Sequence, residues 1–324
     1  SKTIKINDET ISIEDIFKLN EAVLNDVYPI DINKDENRPP LFTYEKGPRV
    51  LKSNIYNAKP KALIPVFPGT NCEYDTADAL LRAGADAEIV VLNNLSPQSL
   101  KDSAIDFASK INDAQMIIIP GGFSGGDEPE GSAKFITAFF RNPIIKDAVG
   151  DLMDNRSGMM LGICNGFQAL IKLGLLPYGR IVDINENCPT LSFNTIGRHQ
   201  SMIVNTRVCS NLSPWMSEMK VGDIVSVPIS HGEGRFLASD SLIEKLAYNG
   251  QIATQYVDNL NLPSMKTEFN PNGSICAIEG ITSVDGRILG KMGHSERIGK
   301  DLYKNVVGEY EMGLFRSAVK FFNK

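Results

Sequence analysis

The feature that most constrains this chain is an alternation that begins at Ala62. Short apolar runs of strand length, each ended by a turn signal, trade places with segments of helical period. Ala62 to Phe67 ends at Pro68-Gly69 and is followed by a helix from Asp75 to Ala83 that Gly84 closes. Glu88 to Leu92 is the second run, Leu100 to Ile111 a helix, and Gln115 to Pro120 the third run. Ala133 to Val149 reads as one helix, Gly158 to Ile163 as the fourth run, and Phe167 to Leu173 as a helix ended by Gly174 and Pro177. Strand, crossover helix and strand in repetition require a mostly parallel central sheet, buried on both faces by helices. The fold class is therefore α/β. Further runs at Met202 to Val208, Ile224 to Ile229, Ile252 to Val257, Ile275 to Thr282 and Ile288 to Met292 carry too little helix between them for crossovers. They are expected to form an antiparallel extension that returns a final strand to the sheet.

The first 61 residues break this rhythm. Ser12 to Val27 has the period of one amphipathic helix, with Ser12-Ile13-Glu14-Asp15 as a capping start. Its apolar stripe must pack on the main body or on a partner. Tyr28 to Lys61, with Pro29, Pro39-Pro40 and Pro60 and no sustained apolar period, reads as an extended linker. The expected division is thus 1–61 as helix and linker, and 62–324 as the domain.

Composition narrows the partners. With 33 basic and 39 acidic residues the net charge is −6, and no basic run offers the footprint of a nucleic-acid binder. No window approaches the roughly 18 apolar residues of a membrane helix. Five cysteines without a C-x-x-C pair argue for free thiols in a reducing, cytoplasmic setting. A small-molecule site is the expectation.

The chemistry centres on Gly162-Ile163-Cys164-Asn165-Gly166-Phe167-Gln168. A strand enters a turn that carries Cys164 between two flanking glycines, and a helix follows at once. This is the cysteine form of the nucleophile elbow, in which small residues permit a strained turn and the helix N-terminus favours a thiolate. Cys72, in Pro68 to Cys72, also lies between strand and helix and competes for the role, but lacks the symmetric glycines. Cys276 reads as core in an alternating strand, and Cys188 and Cys209 carry no chemistry.

A thiol nucleophile needs a base, and the chain has three histidines, His199, His231 and His294. His231-Gly-Glu233 and His294-Ser-Glu296 each set a carboxylate two residues after an imidazole, on the same side of an extended chain. Spacing does not choose between them. His294 follows a strand at its carboxyl end, where open α/β sheets collect their sites, which favours it. Pro120 to Glu128 is a third feature. Asp127, Glu128 and Glu130 would repel a phosphate, and the lack of a G-K-[ST] ending also argues against a nucleotide loop. The loop reads instead as a source of oxyanion donors, with the N–H groups of Gly122 and Phe123 complementing that of Asn165.

Taken together, these residues resemble the class I glutamine amidotransferases: a P-G-G loop, a G-x-C-x-G-x-Q elbow and a late H-x-E. The resemblance is strongest to the C-terminal glutaminase domains of the large phosphoribosylformylglycinamidine synthases. It spans Ala62 to about Arg297 and includes His231 to Arg235, Gln255 to Asp258, Asn270 to Ser274, Gly280 to Ser283, Asp285 to Arg287 and His294 to Arg297. It implies a flavodoxin-like sheet, glutamine as substrate, Cys164 as nucleophile, His294 as acid and base, and Glu296 as its orienting partner. Gln168, and with less support Arg198 and Ser201, would hold the glutamine. His231, Glu233 and Arg235 would belong to a domain interface or ammonia channel. Ser295 stands where family members often have proline. The resemblance implies no cofactor or metal for this chain; ATP and magnesium would belong to the synthetase part that receives the ammonia. Residues 1–61 would then be the tail of a preceding synthetase region, and Ser1 in place of methionine suits a fragment. Two rivals remain: a cysteine-elbow protease, glyoxalase or stress protein of related fold, and an amidotransferase-like domain that only binds.

Overall fold

The computed structural model describes residues 2–29, 38–50, 52–123, 132–299 and 301–323. The first strands of the alternating region are β3 (Lys61–Val66), β4 (Asp86–Val91), β5 (Met116–Ile119) and β6 (Met159–Ile163), after a short N-terminal hairpin β1 (Thr3–Ile6) and β2 (Glu9–Ser12). Between and after them run α2 (Glu73–Ala83), α3 (Pro97–Asp113), α4 (Lys134–Phe140), α5 (Pro143–Asp154), α6 (Asn165–Leu173) and α7 (Leu175–Tyr178), with α1 (Ile13–Ala22) following the hairpin. The second half adds β7 (Thr190–Phe193), β8 (Gln200–Val208), β9 (Ile224–His231), β10 (Glu233–Leu237), α8 (Asp240–Asn249), β11 (Ile252–Val257), β12 (Ile278–Thr282), β13 (Ile288–Lys291) and α9 (Leu314–Phe322).

Nine of these strands form one sheet in the order β4-β3-β5-β6-β13-β12-β11-β8-β9. β4, β3, β5, β6 and β13 are parallel, and from β12 to β9 every pairing is antiparallel. The expected α/β architecture and the return of a last strand to the sheet are both present. β5 is buried at all four positions and β6 at all five, as strands covered on both faces must be. Pro65, which cannot donate to a ladder, lies beyond Leu63, where pairing of β3 with β5 stops. Around the sheet, α2 packs with α9, α3 with α5, and α4 with α6.

Three expectations need correction. The helix read over Ala133 to Val149 is two: Asn142 caps a new helix by accepting from Ile144 N at 3.1 Å, and Pro143 opens it. A proline lacks the N–H that a continuous helix would use there. Cys276 is not in a strand. It sits half-buried at φ +52° in a short 3₁₀ turn, because side chains of Asn270 and Asn272 both accept from Ser274 N and close the chain before β12. The N-terminal helix is shorter than expected, α1 alone, capped by Ser12 through Asp15 N, and it has no buried residue.

The described residues of the stretch read as a linker carry no helix or sheet strand before Lys61, yet they are fastened to the body. Tyr44 N donates to Cys209 O at 2.8 Å, Phe42 N to Gln255 Oε1 at 3.1 Å, and Asn57 N to Phe322 O at 2.9 Å. Arg49 reaches the carbonyls of Val284 and Asn249.

Candidate active site

The elbow is built by backbone crowding. β6 ends at Ile163 and α6 begins at Asn165, so Cys164 alone must make the turn, at φ 52° and ψ −106°. A non-glycine residue held there stores strain that its surroundings must fix. The two glycines are what let the neighbours close in. A Cβ on Gly166 would lie 1.9 Å from Ile119 O, and one on Gly162 would lie 2.6 Å from Gly166 O. Cys164 N donates to Lys291 O at 2.9 Å, which ties the elbow to β13, and the thiol points toward Ser230 O at 3.7 Å.

β13 delivers the histidine. His294 N donates to Pro228 O at 2.9 Å, and Nδ1 lies 2.6 Å from Glu296 Oε1, both side chains almost wholly buried. Burial alone would lower the pKa of His294. The charge of Glu296 and the hydrogen bonds to Cys164, Cys72 and Glu296 together outweigh it and hold the imidazole well above the ordinary histidine value. The thiol of Cys164 and the ring of His294 are therefore brought together.

His231 is treated differently by the same fold. Its Nδ1 faces Asn194 Oδ1 at 3.1 Å, and burial, with repulsion from His294 and His199, pushes its pKa down to about 3. Glu233 does not pair with it. The ladder between β10 and β7 shifts register between Glu233 and Arg235, and Glu233 Oε2 accepts from Ser132 N and Oγ, each at 3.1 Å. Of the two H-x-E spacings, only His294 and Glu296 make an imidazole–carboxylate contact.

Residues 59–322 match the CobB/CobQ-like glutamine amidotransferase domain family. The chain belongs to that family. A phosphoribosylformylglycinamidine synthase subunit PurQ from Methanococcus maripaludis is 34% identical over 286 residues, covering 82% of this chain and 98% of the relative. The subunit of the same name from Aquifex aeolicus is 30% identical over 246 residues, covering 75% and 92%. Among solved structures, that of PurLQS from Thermotoga maritima aligns with a TM-score of 0.57 at 27% identity, over 81% of this chain and 99% of that one.

In this amidotransferase the P-G-G loop lies against the histidine. A Cβ on Gly121 would be 2.7 Å from His294 Cε1 and 3.0 Å from Cys72 Sγ, and one on Gly122 would be 2.6 Å from Gly69 O. The glycines serve close approach here. Phe123 N, expected as an oxyanion donor, donates to Gly69 O at 2.8 Å and is spent on holding the two loops together. Residues 124–131, including Asp127, Glu128 and Glu130, lie outside the described residues.

Gln168 stands one helical turn from the thiol. Its Oε1 accepts from Asn165 Nδ2 at 2.8 Å and its Nε2 donates to Glu233 O at 2.6 Å. Arg198, by contrast, donates to Pro29 O at 3.2 Å and lies over the ring of Tyr28, and Ser201 is exposed on β8. The contacts of the Arg198 guanidinium thus run to the N-terminal segment, while the neighbouring His199 Nε2 lies 2.9 Å from Ser230 Oγ. His231 and Glu233, expected at a domain interface or ammonia channel, are 2% and 5% exposed, and Arg235 is half-buried.

Several participants were not singled out in the sequence. Arg297 Nη2 donates to Cys72 Sγ at 2.9 Å, Asn71 Oδ1 accepts from that thiol at 3.0 Å, and the sulfur lies 3.9 Å from His294 Nδ1. Cys72, His294 and Glu296 are a cluster whose ligand atoms fall within 4.8 Å of one another. The Arg297 guanidinium, resting on the sulfur, places a positive charge where a metal ion would have to sit. Beneath the histidine loop, Lys291 Nζ and Glu279 Oε1 form a buried ion pair at 3.1 Å. Both grip Gly293, Lys291 through its carbonyl at 3.0 Å and Glu279 through its N–H at 2.7 Å. The one sequence signal for this pair was a lysine in an apolar strand.

Proposed function

We propose that this chain hydrolyses glutamine to glutamate and ammonia with a Cys164–His294–Glu296 triad. The ammonia feeds an ATP-dependent synthetase that converts formylglycinamide ribonucleotide to formylglycinamidine ribonucleotide in purine synthesis. The observation that carries the mechanism is the buried 2.6 Å contact of His294 with Glu296 beside the Cys164 elbow. Glu296 fixes Nδ1 as the protonated nitrogen and leaves the other to take and return a proton. The Cys164 thiolate attacks the side-chain amide carbon, and the N–H groups of Gly122 and Asn165 face the oxygen as charge develops on it. His294 protonates the departing nitrogen, a glutamyl thioester remains, and water activated by the same imidazole releases glutamate.

The acceptor reaction rests on the names of the two relatives above, both subunits of phosphoribosylformylglycinamidine synthase. The partner is accordingly a synthetase part that binds ATP and magnesium, with no metal or cofactor in this chain. Residues 1–61 are read as a region outside the amidotransferase domain, in keeping with the family match starting at residue 59. No helix among the described residues is long and apolar enough to cross a membrane. A cytoplasmic place belongs to the reading because five free thiols suit a reducing compartment. The test is labelling with a glutamine analogue that alkylates thiols: one adduct on Cys164, with glutamate release lost in proportion, is expected. An adduct on Cys72 with Cys164 unmodified would overturn the triad.

A further inference from the structure

Two acceptor atoms beside the elbow have no hydrogen-bond partner among the described residues, Glu233 Oε1 and His231 Nε2. Both belong to the turn between β9 and β10, which lies over the thiol: Ser230 O is 3.7 Å from Cys164 Sγ. Glu233 is 5% exposed and its other oxygen is committed to Ser132. The Asn194 amide oxygen can only accept, so His231 carries its proton on Nδ1, and Nε2 presents a lone pair. The nearby ammonium of Lys172 feels the Glu233 charge and donates to Ser132 O. A buried carboxylate oxygen left open next to a nucleophile is a site waiting for a donor.

Gln168, which holds the Glu233 carbonyl at 2.6 Å, stands four residues and so about 6 Å along α6 from Cys164. In an extended glutamine the α-nitrogen lies about 5 Å from the amide carbon that the thiol attacks. We propose that Glu233 binds the α-ammonium of the glutamine substrate through Oε1, with His231 Nε2 as a second acceptor. This gives the H-G-E segment a part in substrate recognition and explains why it is buried. It rests on glutamine being the substrate.

The test compares glutamine with 4-carbamoylbutanoate, the same skeleton without the α-amino group, on the chain assembled with its synthetase part. The unsubstituted enzyme should prefer glutamine by about 10- to 100-fold in kcat/KM, the range of a charge-assisted hydrogen bond. Glu233→Gln keeps an oxygen for Ser132 and removes the charge. It should raise KM for glutamine by about tenfold or more and so flatten the preference between the two compounds. Glu233→Asp, with the charge kept and the reach shortened, should recover part of it. An undiminished preference for glutamine in Glu233→Gln, with the thermal midpoint unchanged, overturns the assignment. Absence of turnover of either compound by the unsubstituted enzyme, without labelling of Cys164, would instead remove the underlying amidotransferase reading.

Discussion

Two thiols flank one imidazole in this molecule, and their surroundings assign them different work. Cys164 sits at the N-terminus of α6 on a strained turn, while Cys72 is held by Arg297 at 2.9 Å and by Asn71 at 3.0 Å. Cys164→Ser should therefore lower glutamate production at least about a thousandfold, as loss of a nucleophile does. Cys72→Ser should keep it within about tenfold, since serine can still meet Arg297 and Asn71. Steady-state glutamate release measures both, and a Cys72→Ser variant as dead as Cys164→Ser would reassign the nucleophile. The two histidines differ in the same way. His231 has a pKa pushed down to about 3 by burial, so between roughly 6.5 and 3 the unfolded chain binds a proton there that the folded chain refuses. Stability must then fall with falling pH in that window, by about 1.4 kcal/mol for each unit of pH from this group alone. His231→Asn should flatten the pH dependence of the thermal midpoint between pH 6 and 4 relative to the parent; an equal slope in both would mean the ring is not held neutral. His294 has the opposite sign. Its raised pKa gives stability that is complete below its unfolded value and lost as pH rises through the folded one.

At the scale of elements, the elbow was legible because its cause is local. Glycines two residues either side of a cysteine encode a turn whose need can be read without coordinates, and Gly166 shows why: a Cβ there would lie 1.9 Å from Ile119 O. Gly166→Ala should cost roughly 1–3 kcal/mol or more through overpacking and reduce glutamate release steeply by displacing Cys164, which paired thermal and kinetic measurements would register. Other elements escaped because their causes are not local. The hairpin of β1 and β2 has no buried face to impose an alternation, and its pattern is exposed almost throughout. The grip on the histidine loop depends on Glu279 from β12 meeting Lys291 from β13, a cross-strand encounter that no spacing announces. Lys291→Met leaves Glu279 buried and uncompensated, and should destabilise by about 3–5 kcal/mol. Adding Glu279→Gln should restore part of it, and a double variant no more stable than the single one would show that the pair does not act as a unit.

Across the whole molecule, contacts with the body begin before the point where the sequence rhythm changes. The alternation begins at Ala62, but the described residues from 38 to 60 are already tied to β11, α9 and the loop after β8 by backbone bonds from Phe42, Asn57 and Tyr44. Such contacts carry no apolar period, so a pattern reading sees only a proline-rich connector. α1 is the reverse case: its period is legible, yet no residue of it is buried, and Phe17, Leu19 and Val23 are 60%, 71% and 78% exposed. Burial, not periodicity, decides what a segment contributes to stability. Removing residues 1–29 should accordingly leave the thermal midpoint of the amidotransferase body within about 1 °C, because surface segments away from packed features change stability by roughly 0.5 kcal/mol or less. Extending the deletion to residue 58 removes the bonds to Gln255, Cys209 and Phe322 and exposes the edge that Tyr44 covers, and the midpoint should fall by several degrees. Calorimetry on the two truncations separates these outcomes; a large loss from the shorter deletion would mean that α1 packs on the body after all.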